Sequence, residues 1–144
     1  MAGLRCRAKT DGSITTGTTS KTLLQYTAPS ATGARVTGIS IHPEGTSPTA
    51  AKIPVDVIKG ATGGTGTTHN PVKLDGHTGS VQGTSKHNFS AEPSGGTVID
   101  EFSIHPQSGL VIPYSQVLNP GETIALRSNA AAAVNCRASL LIEE

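Results

Sequence analysis

The stretch AVNCRASLLI, residues 133–142, alternates more cleanly than any other part of the chain. Val134, Cys136, Ala138, Leu140 and Ile142 fall on one side of an extended backbone, and Asn135, Arg137 and Ser139 on the other. A period of two is the signature of a half-buried strand, because successive side chains of a strand point to opposite faces. No window of useful length places apolar residues at i, i+3, i+4 and i+7, so nothing competes for a helix. The Ala run at 130–133 is too short to count as one.

Working outward, the same reading recurs. TLLQY (22–26) is a short apolar run closed by the turn-like APSATG. ARVTGISIH (34–42) puts Thr37, Ile39 and Ile41 on one face, and Pro43 is expected to end it. IPVDVIK (53–59) alternates through Ile53, Val55 and Val57. PVKLD (71–75) is short, and residues 76–96 are polar, with room for one strand around Phe89. TVIDEFSIHP (97–106) places Val98, Phe102 and Ile104 together. GLVIPYSQV (109–117) carries Pro113, which argues for an edge or a bend. After the NPGE turn, ETIALRS (122–128) and AVNCRASLLI are expected to close the domain as a pair. The fold class that follows is all-β: a single β-sandwich or jelly roll of about eight strands over residues 22–144.

Composition agrees. A chain of 144 residues fits one domain with a real core. With no Trp, two Phe, two Tyr and one Met, that core must be built from Val, Ile, Leu and Ala. Seventeen Gly and nine Pro, spread between short β-rich runs, supply the turns. Charged residues make up 15% and the formal net charge is +1, with no basic stripe in the sequence, so no nucleic-acid partner is expected. Weak self-repulsion at that charge suits a protein that packs beside copies of itself. No apolar run approaches the length of a membrane span, and MAGLRCRAKTDGS lacks the apolar segment of a signal peptide; synthesis in the cytosol with reduced thiols is the expectation. A Cys6–Cys136 bridge stays open if the terminal strands are neighbours.

Residues 1–21 offer few core-formers, Leu4 and Ile14 among Arg, Lys, Thr, Gly and Ser, and read as an extended N-terminal arm. Its removal should then leave a folded domain. GATGGTGTTHN (60–70) reads as a long, flexible hairpin loop. These two segments are the candidate protein contacts, through Leu4, Arg5, Arg7 and Ile14 in the arm and Thr65, Thr67 and His69 in the loop. APSATGARVTGISIHP (28–43) and EPSGGTVIDEFSIHP (92–106) echo one another; a duplicated strand position and chance convergence both fit.

Chemistry is sparse. His42, His69, His77, His87 and His105 show none of the close pairings of metal sites, so no metal or other cofactor is expected. His42 and His105 precede Pro at strand ends, where they can cap turns. No G-x-S-x-G occurs, Cys136 reads as a small buried hydrophobe, and Cys6 as a solvated thiol beside Arg5 and Arg7. Asp100 and Glu101 point to opposite faces, while Glu143 and Glu144 read as solvated. The Gly-rich segment lacks the ending of a phosphate-binding loop. No catalytic residues are assigned, and an enzyme is not expected.

The order of four blocks resembles a family of small tailed-bacteriophage virion proteins. These are GTSPTAAKIPVDVIKG (45–60), GTGTTHNPVKLD (64–75), SAEPSGGTVIDEFSIHPQSGLVIPY (90–114) and AAAVNCRASLLIEE (131–144), about two thirds of the chain. The resemblance rests on turns and strands and carries no catalytic signature. It implies a β-sandwich located in the virion, a decoration (cement) protein bound to the major capsid protein on the outer surface of a phage head, and a homotrimer. Neither nucleic acid nor membrane enters as a partner. A receptor- or carbohydrate-binding module of a tail or fibre is the alternative, as is a minor head–tail joining or tail-tube component. Residues 1–21 lie outside the resemblance.

Overall fold

The computed structural model describes residues 3–44, 51–130 and 132–144. Among them are twelve strands and no helix: β1 (Arg5–Lys9), β2 (Ile14–Thr16), β3 (Lys21–Thr27), β4 (Ala34–Glu44), β5 (Ile53–Lys59), β6 (Thr65–His69), β7 (Val72–Lys73), β8 (Thr84–Ala91), β9 (Thr97–Ile104), β10 (Leu110–Leu118), β11 (Thr123–Ser128) and β12 (Val134–Glu143). They form two antiparallel sheets packed as a sandwich. Sheet A runs β10-β4-β12-β1-β7, with β2 also on β12; sheet B runs β6-β8-β3-β11-β5-β9.

The alternation read from residues 134–142 holds along all of β12. Val134, Cys136, Ala138, Leu140 and Ile142 are buried against sheet B, and the intervening residues face outward. Across the interior they meet a core that includes Leu24, Tyr26, Val55, Val57, Ile124 and Leu126 from sheet B. Ile53, Val55 and Val57 share the inner face of β5 as their spacing predicts. Phe89 sits in β8, buried. β10 is an edge strand whose register shifts between Pro113 and Gln116, so Pro113 marks both an edge and a bend.

The N-terminal segment differs most from expectation. Residues 3–21, the described part of the expected arm, are not an arm: β1 pairs with Lys9 to Arg5 opposite Ser139 to Glu143, and β2 pairs with Val134–Cys136 further along the same edge of β12. Together they make one strand interrupted at Thr10–Ser13, where the Thr10 amide still reaches the Ala138 carbonyl at 3.0 Å and Gly12 adopts φ +87°. Leu4, Cys6, Ala8 and Ile14 belong to the core. Small and polar residues hid this strand, since only Leu4 and Ile14 look like core-formers. Deleting residues 1–15 removes most of both strands, not a tether.

Other corrections have local causes. β4 carries a bulge between Val36 and Gly38, so Val36 joins Ile39 and Ile41 in the core and Thr37 does not. β4 also continues through Pro43, which pairs with Cys136 beyond the point where β10 has ended at Leu110. Ile99 forms a similar bulge on β9 and leaves Val98 exposed. β11 and β12 are not a hairpin. β11 lies between β3 and β5 in sheet B, and its Thr123–Leu126 segment is buried on both faces. The Ala130 amide, bonded to the Gly17 carbonyl at 2.6 Å, anchors the crossing between sheets. The two SIHP echoes occupy unlike places, since β4 is paired on both sides and β9 lies at an edge.

Residues 60–64 cover the outer face of sheet B and are not a free loop. Ala61 is buried, its carbonyl accepts from Gln25 Nε2 at 3.0 Å and from the Thr123 hydroxyl, and Thr62 exchanges 2.9 Å backbone bonds with Ser94. The rest of the Gly-rich segment is β6. Cys6 and Cys136 are both free thiols. Their strands are neighbours, but Cys6 lies opposite Ile142, six residues along β12 from Cys136, roughly 20 Å away at strand spacing. A disulfide needs Cα atoms within about 7 Å.

Glu144 is a structural anchor, not a solvated residue. Its Oε1 accepts from the Tyr26 hydroxyl at 2.7 Å and the Gly83 amide at 2.9 Å, and Oε2 from the Gln82 amide at 2.8 Å. Burial, with the facing carboxylate, pushes the Tyr26 hydroxyl well above its ordinary range. Glu144→Ala leaves the Tyr26 hydroxyl and the Gly83 amide without their charged acceptor. It should lower stability by about 2–3 kcal/mol in urea unfolding, given that bonds to a charged group contribute about 1.5–3 kcal/mol each. Glu143→Ala, whose Oε1 takes the Gly3 amide alone at 3.2 Å, should cost about 1 kcal/mol or less.

Candidate interaction surface

The outward residues of sheet A follow from the strand registers, because directly paired residues share a face. One row runs Pro113, Gly38, Leu141, Arg7, Val72; the next, Val111, Ser40, Ser139, Lys9; a third, Val117, Arg35, Glu143, Arg5. His42 and Arg137 lie opposite each other in a fourth. Four of the chain's five arginines, Arg5, Arg7, Arg35 and Arg137, therefore stand on one face. Arg137 is paired with Glu44, and the side chains of both remain partly exposed.

The guanidinium groups share this face with apolar side chains, Leu141 on the central β12 and valines on the two edge strands, β10 and β7. Val111 is 70% exposed, Val117 53% and Val72 46%. Gly38, with no side chain, leaves a shallow depression of about 300 Å³ bordered by Arg7, Val111, Pro113, Ser139 and Leu141. A Cβ at Gly38 would come within 3.3 Å of the Leu141 Cβ. Nothing among the described residues covers this face, whereas sheet B is partly roofed by residues 60–64. Exposed apolar side chains gathered on one face mark a contact surface, and Arg is enriched where proteins meet.

The contact residues expected from sequence separate into three groups. Arg5 and Arg7 stand on this face, exposed. Leu4 and Ile14 are buried at 5% and 4% and contact their own core, so they are withdrawn as contacts. Thr65, Thr67 and His69 lie on β6, the edge of sheet B on the other layer. The Arg35, Arg137, Leu141 and Val111 contributions were missed. The outward position of Arg137 was readable from the period of β12, but which strands flank it was not.

Potentially reactive groups are dispersed. Among the described residues no group of three His, Cys, Asp or Glu side chains is placed to hold a metal ion. Cys6 is buried rather than solvated: the strand alternation turns Arg5 and Arg7 outward and the thiol inward, and burial raises it to about 12. Burial likewise raises Cys136 to about 11. His105 caps the β9–β10 turn, its Nδ1 accepting from the Gln107 amide at 3.1 Å. Asp75 is held below its usual range chiefly by the Arg5 amide, which donates to it at 3.0 Å.

No protein-family model, no curated protein and no solved structure matches the chain.

His87 supplies a pH dependence. It is 5% exposed, neither ring nitrogen has a partner, and its ring meets that of His69 edge-on at 5.9 Å. Burial first, then His69 and Lys9, lower its pKa from 6.5, against an opposing effect of Asp11. The unfolded chain thus binds a proton more readily than the folded one. The contribution of neutral His87 is complete above pH 6.5 and is lost as pH falls from there toward the lowered folded value. Wild-type stability should decline over that window, by at most about 1.4 kcal/mol per pH unit for one proton. His87→Phe should flatten the decline in urea titrations at several pH values; superimposable curves would remove His87 from the account.

Proposed function

We propose that this chain is a structural protein of a phage particle, a decoration protein that attaches to the outside of the head. The observation that carries the reading is the uncovered face of sheet A, where Leu141 and exposed valines of both edge strands share one surface with four arginines. The resemblance in segment order to small virion proteins supports it. In this reading the major capsid protein is the partner, the protein is made in the host cytoplasm and reaches the virion, and subunits assemble as a homotrimer.

The mechanism is adhesion. Leu141, Val111 and Val117 exclude water at the contact, while Arg5, Arg7 and Arg35 pair with carboxylates of the shell. Each subunit adds modest free energy, and joined subunits holding neighbouring capsid proteins make opening of the shell cooperative. A carbohydrate-binding role on a tail or fibre would favour exposed aromatic rings. Tyr26 and Phe89 are instead buried, and Phe102 and Tyr114 are partly buried against each other.

Co-sedimentation with undecorated heads of the phage that carries the gene tests this reading. Wild-type protein should pellet with heads. Arg7→Glu and Arg35→Glu, both at exposed positions, should weaken binding at least tenfold while leaving the circular dichroism spectrum unchanged. Binding to cells or a glycan array with none to heads would overturn it.

A further inference from the structure

The four sheet edges are not alike. In sheet A, β10 is interrupted by Pro113 and a register shift, and β7 is two residues long, so both ends are blunted against further pairing. In sheet B, β9 has eight residues and β6 five; each carries one register shift, at Ile99 and at Gly66, but neither contains Pro, Lys or Arg. Among the described residues no strand pairs with the outer side of either. β9 also exposes Val98 at 42% and Ile99 at 36%.

Sheet B has six strands, each antiparallel to its neighbour, so β6 and β9 run in opposite directions. A second copy placed alongside without being turned over would set its β6 antiparallel to the β9 of the first. Charge favours the same arrangement. β9 carries Asp100 and Glu101, and pairing two β9 edges would bring four carboxylates together. Glu101 shares the outer face of sheet B with Asp56, its partner in register. At the opposite end of that sheet, Lys86 of β8 is paired with Thr68 of β6 and, on its other side, with the outward Gln25 of β3. The row of Lys86 runs through Gln25, Ala125 and Ile58 to Val98, so when a second β6 continues that row beside β9, Glu101 and Lys86 lie two strand spacings and two register positions apart, about 12 Å between backbones, on one face. Extended Glu and Lys side chains close that gap.

We propose that copies of this protein associate head to tail by pairing β9 of one with β6 of the next, so that sheet B continues from subunit to subunit. The interface is heterologous: two different edges meet, leaving one of each free for further copies until the ring closes. The inference specifies the subunit contact left undefined in the proposed assembly, and it holds or fails on the purified protein without any shell.

Sedimentation velocity between roughly 5 and 500 µM, the range in which a modest interface is populated, provides the test. Wild-type protein should form species larger than a dimer. Glu101→Lys alone and Lys86→Glu alone should each weaken association at least tenfold, the first by opposing Lys to Lys and the second Glu to Glu. Combining both substitutions in one chain should restore it, because each contact then pairs a Lys at 101 with a Glu at 86 whatever the number of subunits in the ring. A wild-type monomer across the range, association that stops at the dimer, or no recovery in the double variant would overturn the proposal.

Discussion

β12 is hydrogen-bonded along both of its edges, and the rest of the molecule is arranged around that constraint. On one side it holds β4 from Glu44 to Arg35; on the other it holds β1 and then β2. The first and last segments of the chain are therefore joined at the centre of sheet A. A strand paired on both sides has its backbone donors and acceptors satisfied within the sheet and can be buried against sheet B, where the small residues Cys6 and Ala8 of β1 and Cys136 and Ala138 of β12 pack beside larger ones. With only four Phe and Tyr residues, close packing of such side chains takes the place of aromatic bulk.

The same alternation that buries five residues of β12 turns Arg137 and Leu141 outward, and that of β1 turns out Arg5 and Arg7. An adhesive face thus arises as the other side of the core, with no loop needed to present it. Glu144 adds a second tie: by accepting the Gln82 and Gly83 amides, it fastens the segment that leads into β8 across the Tyr26 end of the core. The contact surface is consequently built on paired strands, which hold its guanidinium groups at spacings set by the sheet.

Fold class was legible because strands with apolar–polar alternation announce themselves; β5, β8 and β12 lie where their residues indicate. What could not be read was pairing. Nothing local tells that ETIALRS belongs to one sheet and AVNCRASLLI to the other, since the choice depends on what covers the outer side of β11. The bulges in β4 and β9 shift side chains between faces, so Thr37 and Val98 were placed on the wrong side. The two segments taken as arm and loop, residues 1–21 and 60–70, are rich in Thr, Gly and small residues. Such residues read as solvent-exposed in isolation, yet Ala8 and Ala61 are buried. The arginine face was invisible in the linear sequence because it gathers residues 5, 7, 35 and 137 from three strands.

Central to all of this is that residues 5–9 form an interior strand of sheet A. Amide hydrogen exchange at single-residue resolution measures it directly. The account predicts that amides within β1 that bond to β12 exchange as slowly as those in the middle of β12, with protection close to the global unfolding free energy. Exchange of the β1 amides at the rate of an unstructured peptide, with β12 still protected, would contradict it.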